Sequence, residues 1–272
     1  MTEVKIIVAT HKKYDMPTDK MYLPLHVGAE GKFNEDGTPL DFGYQKDNTS
    51  DNISEKNLCF GTQTGLYWAW KHVQADYIGL VHYRRYFTLK KKRNSRNMLD
   101  SVLTGEQLAP MLGKYKVFVP KKRRYYIETI YSHYSNTMDG SQLDIARDII
   151  EEMSPEYLEA FDRVMKRRWG YMFNMMILRR ELLDDYCSWL FKILFELEKR
   201  VDTTGMNDFE KRFAGRVSER LFDVWLERKL AIGELKKNEV KELPYIEEVD
   251  WAFKVKSFLA AKFFNKKYGV SS

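Results

Sequence analysis

Four consecutive side chains, His82, Tyr83, Arg84 and Arg85, stand at the end of the apolar run Tyr77-Ile78-Gly79-Leu80-Val81. Arginine presents a planar fork of donors matched to phosphate oxygens. Ligands of open α/β sheets gather at the carboxyl ends of the strands. Two such forks there can hold a diphosphate and stabilise its charge as it leaves. The plainer alternative leaves one arginine in solvent and pairs the other with a carboxylate of the sheet. A second polar exit, Thr10-His11-Lys12-Lys13, follows the run Val4 to Ala9. It can serve the same anion or be plain surface.

Further along, His133 lies among Tyr125, Tyr126, Tyr131 and Tyr134, and Glu128 precedes it by five residues. Rings that carry hydrogen-bonding tips suit a sugar or nucleobase, and equally a packed aromatic core. Asn174 interrupts the apolar run Tyr171 to Leu178 and, if buried, needs partners. It is either a structural bridge or a donor to a sugar hydroxyl. Glu219, near the start of the last predicted helix, either accepts a proton from an acceptor hydroxyl or pairs with Arg216 or Arg220.

The elements that position these residues follow from periodicity. Val4–Ala9, Tyr77–Val81, Lys116–Pro120 and Tyr171–Leu178 read as buried strands. A helix is expected from Ser54, with Leu58, Thr62, Leu66, Ala69 and Val73 on one face. Gly61 and Gly65 on that helix predict close backbone packing. Glu181–Arg200 and a segment carrying Val217, Leu221, Val224 and Trp225 read as core helices, and Ser154-Pro155 opens another. Residues 14–50, rich in Gly, Pro, Asp and Asn, read as an irregular excursion. Alternating strands and helices imply an α/β fold with a mostly parallel central sheet flanked by helices.

At 272 residues with 44% hydrophobic side chains, the chain can bury one large core, and no linker divides it. The formal charge of +6 favours polyanionic partners: nucleotide diphosphates, anionic lipid or nucleic acid. Two distant cysteines, Cys59 and Cys187, are expected as buried free thiols and suit a reducing cytosol. Neither a signal peptide nor a transmembrane stretch is read from the sequence. The phosphate-loop, GxGxxG, GxSxG and HExxH patterns are missing, which moves most kinases, dehydrogenases, hydrolases and zinc proteases out of first consideration.

Several of these segments together resemble one family. Asp51-Asn52-Ile53-Ser54, Thr64 to Lys71, Tyr77 to Phe87, Tyr125 to Tyr131, Met172 to Met175 and Gly215 to Leu221 are similar to the family called domain of unknown function 4422. The resemblance spans roughly residues 4–230, and His82-Tyr83-Arg84-Arg85 is its most specific mark. It implies a single GT-A-like domain over residues 1–250. It also implies a bacterial glycosyltransferase of capsule, exopolysaccharide or O-antigen assembly, galactofuranosyltransferase-like, using a UDP-sugar with inversion. Under that reading Arg84 and Arg85 stabilise the leaving UDP. Thr10, His11, Lys12, Asp51, Asn52, His82 and Tyr83 contact the donor. Tyr126, Glu128, His133 and Asn174 face sugar or acceptor, and Glu219 becomes the base. GT-A enzymes carry Asp-x-Asp at a central strand end, where this chain has His82-Tyr83-Arg84. No cofactor is therefore called for, with a divalent ion left open.

Residues 251–272 alternate aromatic and lysine side chains and predict a basic amphipathic helix. It either meets an anionic membrane surface or packs on the domain. The expected partners are a UDP-sugar and a glycan or lipid-linked glycan, not nucleic acid, with the protein cytoplasmic and peripheral on the inner face of the cell membrane. The rival readings are a non-catalytic scaffold of a polysaccharide assembly complex and a nucleic-acid-binding protein.

Overall fold

The computed structural model describes residues 2–90 and 98–248. Its strands are β1 (Val4–Thr10), β2 (Tyr22–His26), β3 (Gln45–Lys46), β4 (Tyr77–His82), β5 (Arg85–Phe87), β6 (Val117–Pro120), β7 (Arg123–Arg124), β8 (Trp169–Gly170), β9 (Met176–Arg179), β10 (Val240–Leu243) and β11 (Tyr245–Glu247). Its helices are α1 (Asn57–Phe60), α2 (Gln63–His72), α3 (Gly105–Leu108), α4 (Ile130–Thr137), α5 (Ser141–Met153), α6 (Leu158–Met165), α7 (Arg180–Arg200) and α8 (Phe213–Ala231). The predicted tail helix over 251–272 lies outside the described residues.

The main sheet runs β10-β6-β9-β4-β1-β2-β3. β1 is parallel to β2 and β4, β2 to β3, and β6 to β10, whereas β9 is antiparallel to both β4 and β6. The sheet is thus mostly parallel with one reversed strand. β5 and β11 form an antiparallel extension from the end of β4. Side chains alternate across the sheet because successive strand residues face opposite sides. Ile7, Ile78, Leu80, Val117 and Leu178 join the core under the helices, while Ile6, Val8, Val81, Phe118 and Ile177 join a second core on the other face. Burial on both faces explains why these strands read as continuous apolar runs.

Four expectations are corrected. Residues 14–50 hold β2 and β3; Pro24 disguises β2, but β3 pairs only with Leu25 and His26, so Pro24 still lies on an edge. The helix from Ser54 is broken: Gly61 takes φ of +56° at the end of α1, and α2 starts afresh at Gln63. Gly65 does pack closely, since a Cβ there would stand 2.7 Å from Val27 Cγ1. The run Tyr171–Leu178 is strand only from Met176, because Phe173 (φ 79°) and Asn174 (φ 52°) adopt left-handed backbone. Cys187 is buried but Cys59 only partly so; both are free. No helix among the described residues is long and apolar enough to cross a membrane.

Gly215 sets how α8 meets α1. A Cβ there would lie 2.8 Å from the Phe60 carbonyl oxygen, a backbone atom that cannot swing away. Although alanine has the better helix propensity, Gly215→Ala is therefore expected to lose about 1–3 kcal/mol by overpacking. Urea unfolding checks this; an equal or higher midpoint contradicts it.

Candidate functional site

The register aligns Ala9 with His82 and Thr10 with His26, so β1, β2 and β4 release their chains side by side on one edge. Thr10 is buried, and its hydroxyl closes its own turn by donating to the Lys12 carbonyl (2.7 Å) and accepting from the Lys12 N–H (3.2 Å). That turn sets His11 edge-on to Tyr83, with ring centroids 5.4 Å apart. Tyr83 in turn packs on Tyr14 at 4.4 Å, and the Arg84 guanidinium lies over the Tyr83 ring at 5.0 Å.

The charges around His11 are one-sided. The dense surroundings of His11 push its imidazole down to about 4, helped by the charges of Lys12, Arg212 and Arg84 and by His26. Arg212 comes from the short turn Glu210–Arg212 that leads into α8. No carboxylate belongs to that set, and among the described residues Lys12, Arg84 and Arg212 enter no ion pair. Unpaired cations converging from three elements form a field suited to a polyanion.

Sequence reasoning missed Arg212, His26 and Asp47 here. His26 is buried against Phe42 (4.4 Å), and its Nδ1 has no partner among the described residues. Asp47 is fully buried and accepts from the Gly28 and Ala29 N–H groups and from the Ser54 and Thr64 hydroxyls. It thereby ties the exits of β2 and β3 to the first turn of α2.

His82 joins this edge to a second group. Its Nε2 lies 2.5 Å from the Phe173 carbonyl, which can only accept, so Nε2 carries the proton. Burial, aided by Arg85, pushes the His82 imidazole down to about 4. Its folded value lies below the ordinary 6.5, so between pH 6.5 and 4 the unfolded chain binds a proton that the folded chain does not. Through His82, stability is expected to be retained above 6.5 and to fall as pH drops through that window, this one group contributing at most about 1.4 kcal/mol per pH unit. Urea midpoints against pH test this: His82→Gln flattens the slope, and identical slopes contradict it.

The strained pair Phe173–Asn174 is held from both sides. The Arg85 guanidinium lies 3.7 Å from the Phe173 ring centroid and pairs through Nε (3.0 Å) and Nη2 (2.8 Å) with Glu247. Asn174 donates to the Gly215 carbonyl (2.9 Å) and accepts from the Ser218 hydroxyl (3.0 Å). Of the two predicted roles for Asn174, the bridge is thus present, and it brings the loop against the first turns of α8.

Glu219 lies next on α8. Its Oε2 accepts from Arg220 Nη1 at 2.7 Å, the pairing foreseen as one alternative. Arg220 also spreads over the Tyr134 ring at 5.1 Å. Thr129 caps α4, exchanging hydrogen bonds with Ser132, and so fixes where His133 and Tyr134 point. His133 lies against buried Tyr125 (4.3 Å) and contacts Glu128 at 2.6 Å, which also accepts from Asn136. The charges of Arg220 and Glu219 both act on Tyr125, so this cluster and Glu219 are neighbours.

Four predicted positions fall elsewhere or are already engaged. Asp51 accepts from Tyr67 and His72 and pairs with Lys71, in the last turns of α2. Those turns feed the start of β4, the end opposite His82. Asn52 closes local turns with Ser50 and Ser54. Tyr126 projects into solvent at 86% exposure. Arg85, expected to share the leaving-group charge, is occupied by Glu247, which leaves Arg84 as the free fork. Among the described residues no three His, Cys, Asp or Glu side chains gather as metal ligands would.

Against protein families, residues 5–230 match the domain of unknown function DUF4422. Among solved structures, the chain is similar to the apo structure of a bifunctional glycosyltransferase, WbbM, with 30% identity and a TM-score of 0.80. The match covers 91% of this chain but 46% of that one, so the chain spans about half of that protein's length. No curated protein matches.

Proposed function

This chain belongs to the DUF4422 family, and on that premise we propose that it is a glycosyltransferase of surface polysaccharide synthesis. It transfers a sugar, galactofuranose by preference, from a UDP-sugar to a hydroxyl of a glycan or lipid-linked glycan. The observation that carries the reading is the cluster of unpaired cations Lys12, Arg84 and Arg212 around His11 at the exits of β1 and β4. Similarity of the fold to a glycosyltransferase supports it.

In this mechanism the diphosphate lies against the cluster of Lys12, Arg84 and Arg212. The acceptor oxygen attacks the anomeric carbon as the bond to UDP breaks on the opposite face. Glu219 takes the hydroxyl proton, and Arg84 takes up charge on the departing phosphate without need of a metal. Arg85 acts through position: its pair with Glu247 and its cover over Phe173 hold the loop that carries Asn174.

UDP release from a panel of UDP-sugars, galactofuranose included, tests the proposal with acceptor present and with or without EDTA. Turnover with one donor that persists in EDTA is the expected result. Silence across the panel favours the scaffold, and a strict metal requirement removes the arginine mechanism. A lipid-linked acceptor also fits a peripheral position at the inner face of the membrane. Liposome binding that survives removal of residues 251–272 excludes the tail as the anchor.

A further inference from the structure

A cleft of about 620 Å³ opens beside β10 and the β7–β8 pair, lined by Trp169, Tyr171 and Asp223. In the strand order this lies toward the opposite end of the sheet from β1 and β2, where the cations gather. Its size falls in the range of about 300–1,000 Å³ typical of small-ligand sites.

The chemistry of the walls selects among ligands. Lys122 pairs with Glu242 at 3.0 Å, and Arg167 pairs with Glu227. Lys122 and Arg167 also lie against the Trp169 ring, at 4.2 and 4.6 Å from its centroid. The Tyr171 hydroxyl donates to Glu242 at 3.0 Å, and the Tyr171 N–H donates to Asp223 at the buried end of the cleft. A phosphate would have to displace these carboxylates from their cations. A neutral polyol need not: paired Lys, Arg and Glu groups keep free donor and lone-pair directions for hydroxyls, and the aromatic side chains supply apolar contact. Burial pushes the Asp223 carboxyl up to about 8, so near neutrality it adds a hydroxyl donor more than a charge.

The cleft shares α8 and the loop after β8 with the site already described. Asp223 lies four residues beyond Glu219 on α8, which puts both on one helix face. Tyr171 is two residues before Phe173, whose carbonyl meets His82. We infer that the cleft lined by Trp169, Tyr171, Lys122 and Glu242 binds the acceptor as a neutral glycan chain, directing its terminal hydroxyl toward Glu219. This rests on the glycosyltransferase reading above.

The test uses the full chain with short linear galactan, glucan and mannan oligosaccharides, followed by saturation-transfer NMR and calorimetry. UDP binding is measured in parallel. At least one oligosaccharide is expected to bind. Trp169→Ala should weaken it by at least about tenfold, with UDP affinity unchanged. Glu242→Gln, which keeps the wall's shape, should also weaken it, and Trp169→Phe should largely preserve it. The inference is overturned if none of the oligosaccharides binds, or if Trp169→Ala and Glu242→Gln leave binding intact. It is also overturned if UDP affinity falls in step, since the cleft would then belong to the nucleotide. Oligosaccharide binding without any UDP binding would instead remove the UDP-sugar reading and leave the cleft as a glycan site.

Discussion

Replacing Arg84 by alanine is expected to lower kcat for sugar transfer by about 10²–10³-fold, the loss typical when one preorganised donor to a developing anion is removed. Arg84 stands at the exit of β4, stacked on Tyr83, and makes no ion pair with another described residue. Its guanidinium is already oriented by the Tyr83 side chain, and no carboxylate among the described residues occupies it. Lysine at the same place retains charge but not the planar fork, so Arg84→Lys should fall between the two. The contrast with Arg85 sharpens the test. Arg85→Ala removes the Arg85–Glu247 pair and uncovers Phe173, so its first effect should be on stability and on the Asn174 loop. An Arg84→Ala enzyme with near-normal turnover would remove Arg84 from the chemistry.

A second large effect is expected from Glu219→Gln: kcat reduced by about 10²–10⁴-fold, as for the loss of a general base. Glutamine can still accept from Arg220, so the contact of 2.7 Å and the packing over Tyr134 survive while the proton acceptor is lost. The donor KM should change little, because the role concerns the acceptor hydroxyl. The pH–rate profile should lose its acidic limb. If the Glu219→Gln enzyme turns over with an unchanged profile, the carboxylate serves only to hold α8 against α4.

How much of this is legible in the sequence depends on whether the signal is local. β1, β4 and β6 declare themselves as short apolar runs because the sheet is covered on both faces. α7 announces itself through a stripe of Leu182, Tyr186, Leu190, Ile193 and Leu197, all fully buried but the partly exposed Leu182. β2 and β3 are hidden, one by Pro24 and the other by having two residues. The run around Asn174 has a strand's composition, but Phe173 and Asn174 are bent into left-handed backbone by partners on β5, β4 and α8. No local pattern encodes that. For the same reason His82-Tyr83-Arg84 is visible as a site, being contiguous, whereas Arg212, His26 and Asp47 join it only through topology. Pairing of one arginine with a sheet carboxylate is one of the two sequence readings, but which arginine and which carboxylate is not legible, because Glu247 is 162 positions from Arg85. Asp51 misleads because its loop descends along α2 to Lys71 and His72, away from the strand exits.

The measurement that tests the central claim most directly is product analysis: purified protein, a UDP-sugar and a glycan acceptor, with mass spectrometry of the acceptor and quantitation of UDP. Addition of one sugar per UDP released, at a rate strongly reduced in Arg84→Ala and Glu219→Gln, is the predicted result. An acceptor of unchanged mass beside folded protein, with every donor and acceptor combination tried, would contradict it.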